Sequence, residues 1–253
     1  MSTAQGAVKR DIFWAIVKRE FRSYFSTPVA MIFIIVFLLL NGFFTFKLGR
    51  FYEQGQADLK SFFLWHPWLY LFIVPAISMR LWAEEKKSGT IELLFTLPVS
   101  LFEAVAGKFV AAWLFLGLAL ALTFPMVFTV EYLGDPDLGV IFASYLGSFF
   151  MAGSYLAIGC AVSATTNNQI ISFVISTAIC LFLILLGFEP VIEMLLGIFP
   201  HSFVDQLANL SFPHHFEGIQ RGVVDLRDLI YFGTVMVYSL LTCTIVLDRG
   251  KAN

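Results

Sequence analysis

The sequence predicts an all-α integral membrane protein, and three observations carry that prediction. Hydrophobic residues make up 58% of the chain and charged residues only 13%. A soluble domain carries about 25% charged residues, so this chain cannot cover a water-facing surface. Mean hydropathy is +0.82. The apolar residues also gather into runs that approach or reach the roughly 20 residues needed to cross a hydrocarbon core. The expected architecture is six transmembrane helices preceded by an amphipathic cytoplasmic elbow helix, with short outer helices before the last span. All of it is read as a single domain over residues 1–253.

The elbow is expected over 8–26. In KRDIFWAIVKREFRSYF, residues 9–25, Phe13, Val17, Phe21 and Tyr24 recur at helical spacing. Arg10, Asp11, Lys18, Arg19 and Arg22 lie elsewhere on the wheel. Such a basic amphipathic helix suits the cytoplasmic headgroup layer. Ser26-Thr27-Pro28 breaks it and starts the next helix. A cleaved signal peptide is disfavoured, because the apolar run begins late and is long enough to span.

The six-span bundle is expected over 28–247, with spans at 28–46, 65–82, 109–130, 140–164, 170–188 and 229–247. His66 and Arg80 flank the second, which contains Pro75, and Pro125 predicts a bend near the outer end of the third. Neighbouring helices can satisfy the carbonyls that proline frees. The fourth carries Ser144, Ser148 and Ala152, then Gly153, Ala157 and Ala161, rows of small residues that let backbones approach closely. Spacing alone leaves open whether the neighbour lies in the same chain or a second copy, with the same chain favoured. The extracytoplasmic segment, 189–228, is punctuated by Pro190, Gly197, Pro200, Pro213 and Gly222. Ser202-x-x-Asp205 and Asp225-x-x-Asp228 resemble helix starts, so two or three short helices are expected there.

Lysine and arginine bias sets orientation. With both termini cytoplasmic, eleven basic residues fall inside and five outside, and the loop EYLGDPDLG, which holds only acids, falls outside. The expected location is the cytoplasmic (inner) membrane of a bacterium.

Reactive chemistry is sparse. Gly107-Lys108 lacks the upstream glycine and following hydroxyl of a phosphate loop, and neither H-E-x-x-H nor C-x-x-C occurs. Cys160, Cys180 and Cys243 read as small buried hydrophobes. Adjacent His214 and His215 point apart on a helix, which favours a structural role over a metal site. Arg80, Lys108, Glu131 and Glu189 fall near span ends, where long side chains snorkel. Proton-coupled carriers and intramembrane enzymes need ionisable groups at mid-depth. No catalytic, cofactor or metal residue is expected in this chain.

One polar stretch stands apart: AEEKKSGTIELLFTLPVS, residues 83–100. Helix should run through Lys87, with Ser88-Gly89-Thr90 giving a flexible turn and a hydroxyl cap. Two helical turns, apolar at Ile91, Leu94 and Phe95, should end at Pro98, and Ser100-x-x-Glu103 should cap the next helix. The segment is either a loop resting on headgroups or a docking helix for a soluble partner, since apolar faces rimmed by charge mark interfaces.

Glu85, Gly89, Thr90, Glu92 and Leu94, followed by Thr96, Pro98, Val99 and Ser100, resemble the cytoplasmic signature of ABC-2 type transporter permeases. REFRSYFSTPVAMIFIIVFLLLNGFF and FEGIQRGVVDLRDLIYF resemble the gliding-motility-associated (GldF-like) subfamily, and copper-site assembly permeases are similar. The resemblance implies a coupling segment at 83–100, with Glu85, Gly89, Thr90, Ile91, Glu92, Leu94, Phe95 and Pro98 docking an ABC ATPase. It implies two ATPase copies that bind ATP and Mg, a second permease copy or close paralogue, and scope for an extracytoplasmic auxiliary protein. Membrane lipid surrounds the chain, and no nucleic acid is expected. The implied function is coupling of ATP hydrolysis to substrate translocation, with mechanotransmission to an outer partner as the alternative.

Overall fold

A computed structural model describes residues 2–26, 28–92 and 99–250, with side chains from Ile12 onward. The described residues form helices and no strand. In order these are α1 (Ser2–Phe25), α2 (Pro28–Phe43), α3 (Lys60–Leu64), α4 (His66–Ser78), α5 (Arg80–Ser88), α6 (Leu101–Ala121), α7 (Pro125–Leu133), α8 (Leu138–Ser163), α9 (Gln169–Leu185), α10 (Glu189–Leu196), α11 (His201–Ala208), α12 (Phe212–Gln220) and α13 (Leu226–Arg249). A π-helical stretch, Phe44–Leu48, continues α2. Proline supplies the first turn of α4, α7, α10 and α12, where its missing N–H has no helical partner to lose.

Helix α8 is the axis of the molecule, packed against α4, α6, α9, α12 and α13. Its small residues allow this. Gly147 lies against Ile219 of α12, Gly153 against Trp113 of α6 and Met236 of α13, and Gly159 against Ser78 of α4. Ser144, Ser148, Ala152 and Ala157 are buried beside them. The rows of small residues therefore act within the chain. Trp113 seals one side, stacked on Phe149 at 4.4 Å with its indole N–H donating to the Phe149 carbonyl at 2.8 Å.

Four helical stretches among the described residues are long and apolar enough to cross a membrane: Pro28–Leu48, Leu101–Leu133, Leu138–Ser163 and Leu226–Arg249. A fifth results if α9 and α10, bent by 67°, count as one. The expected span over 65–82 is instead jointed at Met79, leaving α4 and α5 too short to qualify singly. The joint has a physical cause. Ser163 of α8 accepts hydrogen bonds from the Trp82 and Ala83 N–H groups at 3.1 and 3.0 Å and donates to the Met79 carbonyl at 3.0 Å. It caps α5 from another helix. The third expected span breaks at Leu122–Phe124, immediately before Pro125, as the sequence suggested.

Three short helices fill the 189–220 stretch. One expected start is displaced: α11 begins at His201 behind Pro200 and has no side-chain cap, so Ser202 does not cap it. Asp225 does cap α13, and Ser211 caps α12.

Gly153→Leu should drive a side chain into Trp113 and Met236, where even a Cβ would sit 2.7 and 2.8 Å from their nearest atoms. Overpacking of this kind costs about 1–3 kcal/mol. Gly233, where an added Cβ would meet nothing within 4 Å, should accept alanine without loss. Unfolding of the purified variants in mixed micelles by SDS titration checks both.

Candidate functional site

Within 83–100 the described residues are the end of α5, a turn at Gly89, the helical residues 90–92, and Val99 and Ser100 ahead of α6. Helix α5 closes at Gly89, whose φ of +73° supplies the left-handed cap that a side chain would strain. The expected flexible turn is thus a fixed one. Thr90 reaches backward: its hydroxyl donates to the Glu85 carbonyl at 3.4 Å and pairs with the Ser88 hydroxyl at 2.9 Å. Helix resumes at 90–92, with Ile91 half-buried against the core and Glu92 exposed. Leu94, Phe95 and Pro98 lie outside the described residues. Beyond them, Ser100 and Glu103 form the expected capping box, with bonds of 3.3 and 3.0 Å.

Glu85, its side chain 24% exposed, is engaged within the chain. Its carboxylate meets the Lys108 ammonium of α6 at 2.6 Å. Lys108 also reaches Glu20 of α1 at 3.3 Å and lies over the Trp82 ring at 5.4 Å. Its side chain is only 6% exposed. The sequence expectation that Lys108 snorkels to the headgroups is therefore corrected: one buried cation ties the N-terminal helix, the polar segment and α6 together. Burial alone would push the Glu20 carboxyl up, but the Lys108 ammonium and the Arg19 guanidinium outweigh it. They hold Glu20 below its ordinary range.

Three further contacts fasten this end. Tyr24 of α1 stacks on Phe115 of α6 at 4.9 Å. The Lys86 ammonium donates to the Ala164 carbonyl at the end of α8. Trp82 directs its indole N–H at the Cys160 sulfur at 3.3 Å. Arg80 pairs within its own helix with Glu84 at 3.7 Å, an exposed contact of small value. Glu20, Trp82 and Ser163 carry no signal in the local sequence, and Lys108 reads there as a snorkelling side chain. The available signal was a lysine between Gly107 and Phe109 in an otherwise apolar run, which needs a carboxylate if it is buried.

Two polar clusters occupy the opposite half of the molecule. His66 is fully buried, with its ring nitrogens 3.1 Å from the Asn41 amide nitrogen and 2.8 Å from the Ser148 hydroxyl, which Tyr70 also reaches at 2.7 Å. His215 sits between the Asp228 carboxylate at 2.7 Å and the Asn209 carbonyl at 2.8 Å, stacked on Tyr231 at 3.9 Å. Both ring nitrogens are engaged, and His214 is exposed on the other face, so the pair does not converge on one ion. The geometry of the first cluster is that of helix packing, and that of the second a fastening between α12 and α13.

Lys108→Met should leave Glu20 and Glu85 without their shared cation, with only Arg19 still beside Glu20 at 2.6 Å. Breaking a buried pair in this way costs about 3–5 kcal/mol. Because Glu20 is held below its ordinary range, its contribution is present at neutral pH and is lost as pH falls through its folded value. Unfolding midpoints in micelles across the acid range should show that loss in the parent chain and a flatter profile in Lys108→Met.

Comparison with known families adds one finding. Residues 52–212 match the model of a family described as ABC-2 family transporter protein. The chain has no match among curated proteins.

Proposed function

The chain belongs to the ABC-2 transporter family, a membrane permease of an ABC transporter, and on that premise we propose that residues 83–100 receive the movement of a separate ATPase. Such a permease is a multi-pass membrane component that performs no bond chemistry itself and works with an ABC ATPase. The observation that carries the proposal is the Lys108 clamp. A push at residues 90–92 would reach α5, whose Glu85 is tied to Lys108 of α6 and through Lys108 to Glu20 of α1. In this reading Ile91, Leu94 and Phe95 form the apolar face that enters the ATPase, and Glu92 rims it. Glu85 and Gly89 shape the segment from behind, and Pro98 ends it.

The proposed arrangement has six spans, with the jointed α4–α5 unit as the second and both termini cytoplasmic. Helix α1 is the elbow on the cytoplasmic face of a bacterial inner membrane. Two copies, or this chain and a paralogue, pair over two ATPases that bind ATP and Mg. ATP-driven closure would favour one permease conformation over another, which is all that coupling requires. The likeness to gliding-motility-associated permeases rests on 19–44 and 216–232, both outside the matched region.

A second reading, mechanotransmission without translocation, is favoured by one feature. The three-helix stretch 189–220 is bound to α13 by His215–Asp228 and by the Tyr231 hydroxyl on the Leu210 carbonyl at 2.6 Å. It exposes Met194, Ile198 and Phe203, a surface that an outer partner could grip.

Topology is checked with Asp135→Cys and Asn167→Cys, both exposed, which should label from opposite sides of the membrane. Docking is checked with Leu94→Asp, which would bury an unpaired charge. A cost of several kcal/mol is expected, and about 1.4 kcal/mol already lowers affinity tenfold. ATPase copurification and coupled turnover should collapse while membrane insertion persists, and Glu53→Lys should leave both intact. Wild-type ATPase recovery with Leu94→Asp would return the segment to a headgroup-resting loop.

A further inference from the structure

At the end of the bundle opposite Lys108, the 67° bend between α9 and α10 opens a cavity of about 460 Å³ between α4, the bend and α12. That volume lies within the range of small-molecule sites. We infer that this cavity binds the ammonium group of an amphiphile, a role independent of ATPase docking.

The lining is specific. Trp68 and Phe188 meet edge to face with ring centroids 5.9 Å apart at 82°. Phe216 and Ile184, each 1% exposed, form an apolar floor. Two carboxylates, Glu189 and Glu217, line the same space. Glu189 has no ion-pair partner among the described residues. Glu217 has only Arg221 one turn away at 3.8 Å, both side chains exposed.

The chemistry follows from these groups. Aromatic faces attract an ammonium through their quadrupole, and indole does so best. A carboxylate adds a charge-assisted hydrogen bond to any N–H the cation carries. An anionic headgroup would instead meet two like charges. The apolar floor accepts the first carbons of a chain, which a small inorganic cation would leave empty. Tryptophan at a membrane boundary is common in itself. Here a glutamate in the first turn of α10, with no cation paired to it among the described residues, lines the same cavity. Two sources offer that cation: the headgroup of an aminophospholipid, or a single-chain organic cation.

The test uses the full chain purified in a neutral maltoside detergent. Dodecyltrimethylammonium is titrated below its micellar concentration and followed by calorimetry. Native mass spectrometry compares retention of phosphatidylethanolamine and phosphatidylglycerol with identical acyl chains. Glu189→Gln and Trp68→Leu should each weaken ammonium binding about tenfold or more, while Glu131→Gln, an exposed carboxylate elsewhere, should not. Glu189→Gln is isosteric at an exposed position, so its unfolding midpoint without ligand should match the parent and keep the result interpretable if Trp68→Leu misfolds. Selective retention of phosphatidylethanolamine that the single-chain cation cannot displace supports a lipid headgroup. Displacement by the single-chain cation supports a soluble one. Equal retention of both lipids together with unchanged ammonium affinity in the Glu189→Gln, Glu217→Gln double variant overturns the inference.

Discussion

Close approach to α8 is the constraint on which the rest of the structure depends. In hydrocarbon there is no water to expel from between helices, so association rests on van der Waals contact and on satisfying polar groups. Glycines at 147, 153 and 159 remove the side chains that would hold α12, α6, α13 and α4 away. Serines on the same helix then supply the bonds. Ser148 serves His66 and Tyr70, Ser154 donates to the Phe232 carbonyl at 3.2 Å, and Ser163 holds the start of α5. One helix is both the spacer and the bonding strip for its neighbours.

Charge is confined to the two ends of this packed axis, and each end uses it differently. At the basic end a single lysine joins α5 and α6, neighbours in sequence, to the distant α1. At the other, a histidine between a carboxylate and a carbonyl fastens the short helices to α13. Between them the buried polar side chains are neutral, and most are hydrogen-bonded, although the Ser172 and Ser176 hydroxyls of α9 have no partner among the described residues. Under the proposed coupling, a push at the basic end would meet three helices joined by one cation, and the displacement would pass along the axis as a movement of packed elements.

Much of this was legible in local sequence. Periodicity marked a helix where α1 lies, and length and apolarity marked the four helical stretches long enough to cross a membrane. Pro125 marked a break, and Ser100 with Glu103 marked a capping box. These signals lie within a few residues of what they determine. The joint at Met79 was hidden because its cap, Ser163, is 81 residues from Trp82. Lys108 was misjudged for the same reason, since Glu20 lies 88 residues away. The π-helical stretch at Phe44–Leu48, FTFKL, has no local signature that sets it apart from an α-helical end. Within the polar segment, sequence picked out Gly89 for flexibility, whereas its role is a fixed left-handed turn. It picked out Glu85 for a partner's surface, and had no means of showing its pairing with Lys108 of α6.

The hydroxyl of Ser163 has one proton and two lone pairs, and all three are committed: Met79 takes the proton, and Trp82 and Ala83 fill the lone pairs. A saturated oxygen cannot be shared gradually with a sliding neighbour. If α5 shifts along α8, it trades these bonds as a set for another complete set, or it stays where it is. The joint is a detent, and the positions open to the polar segment above it are discrete.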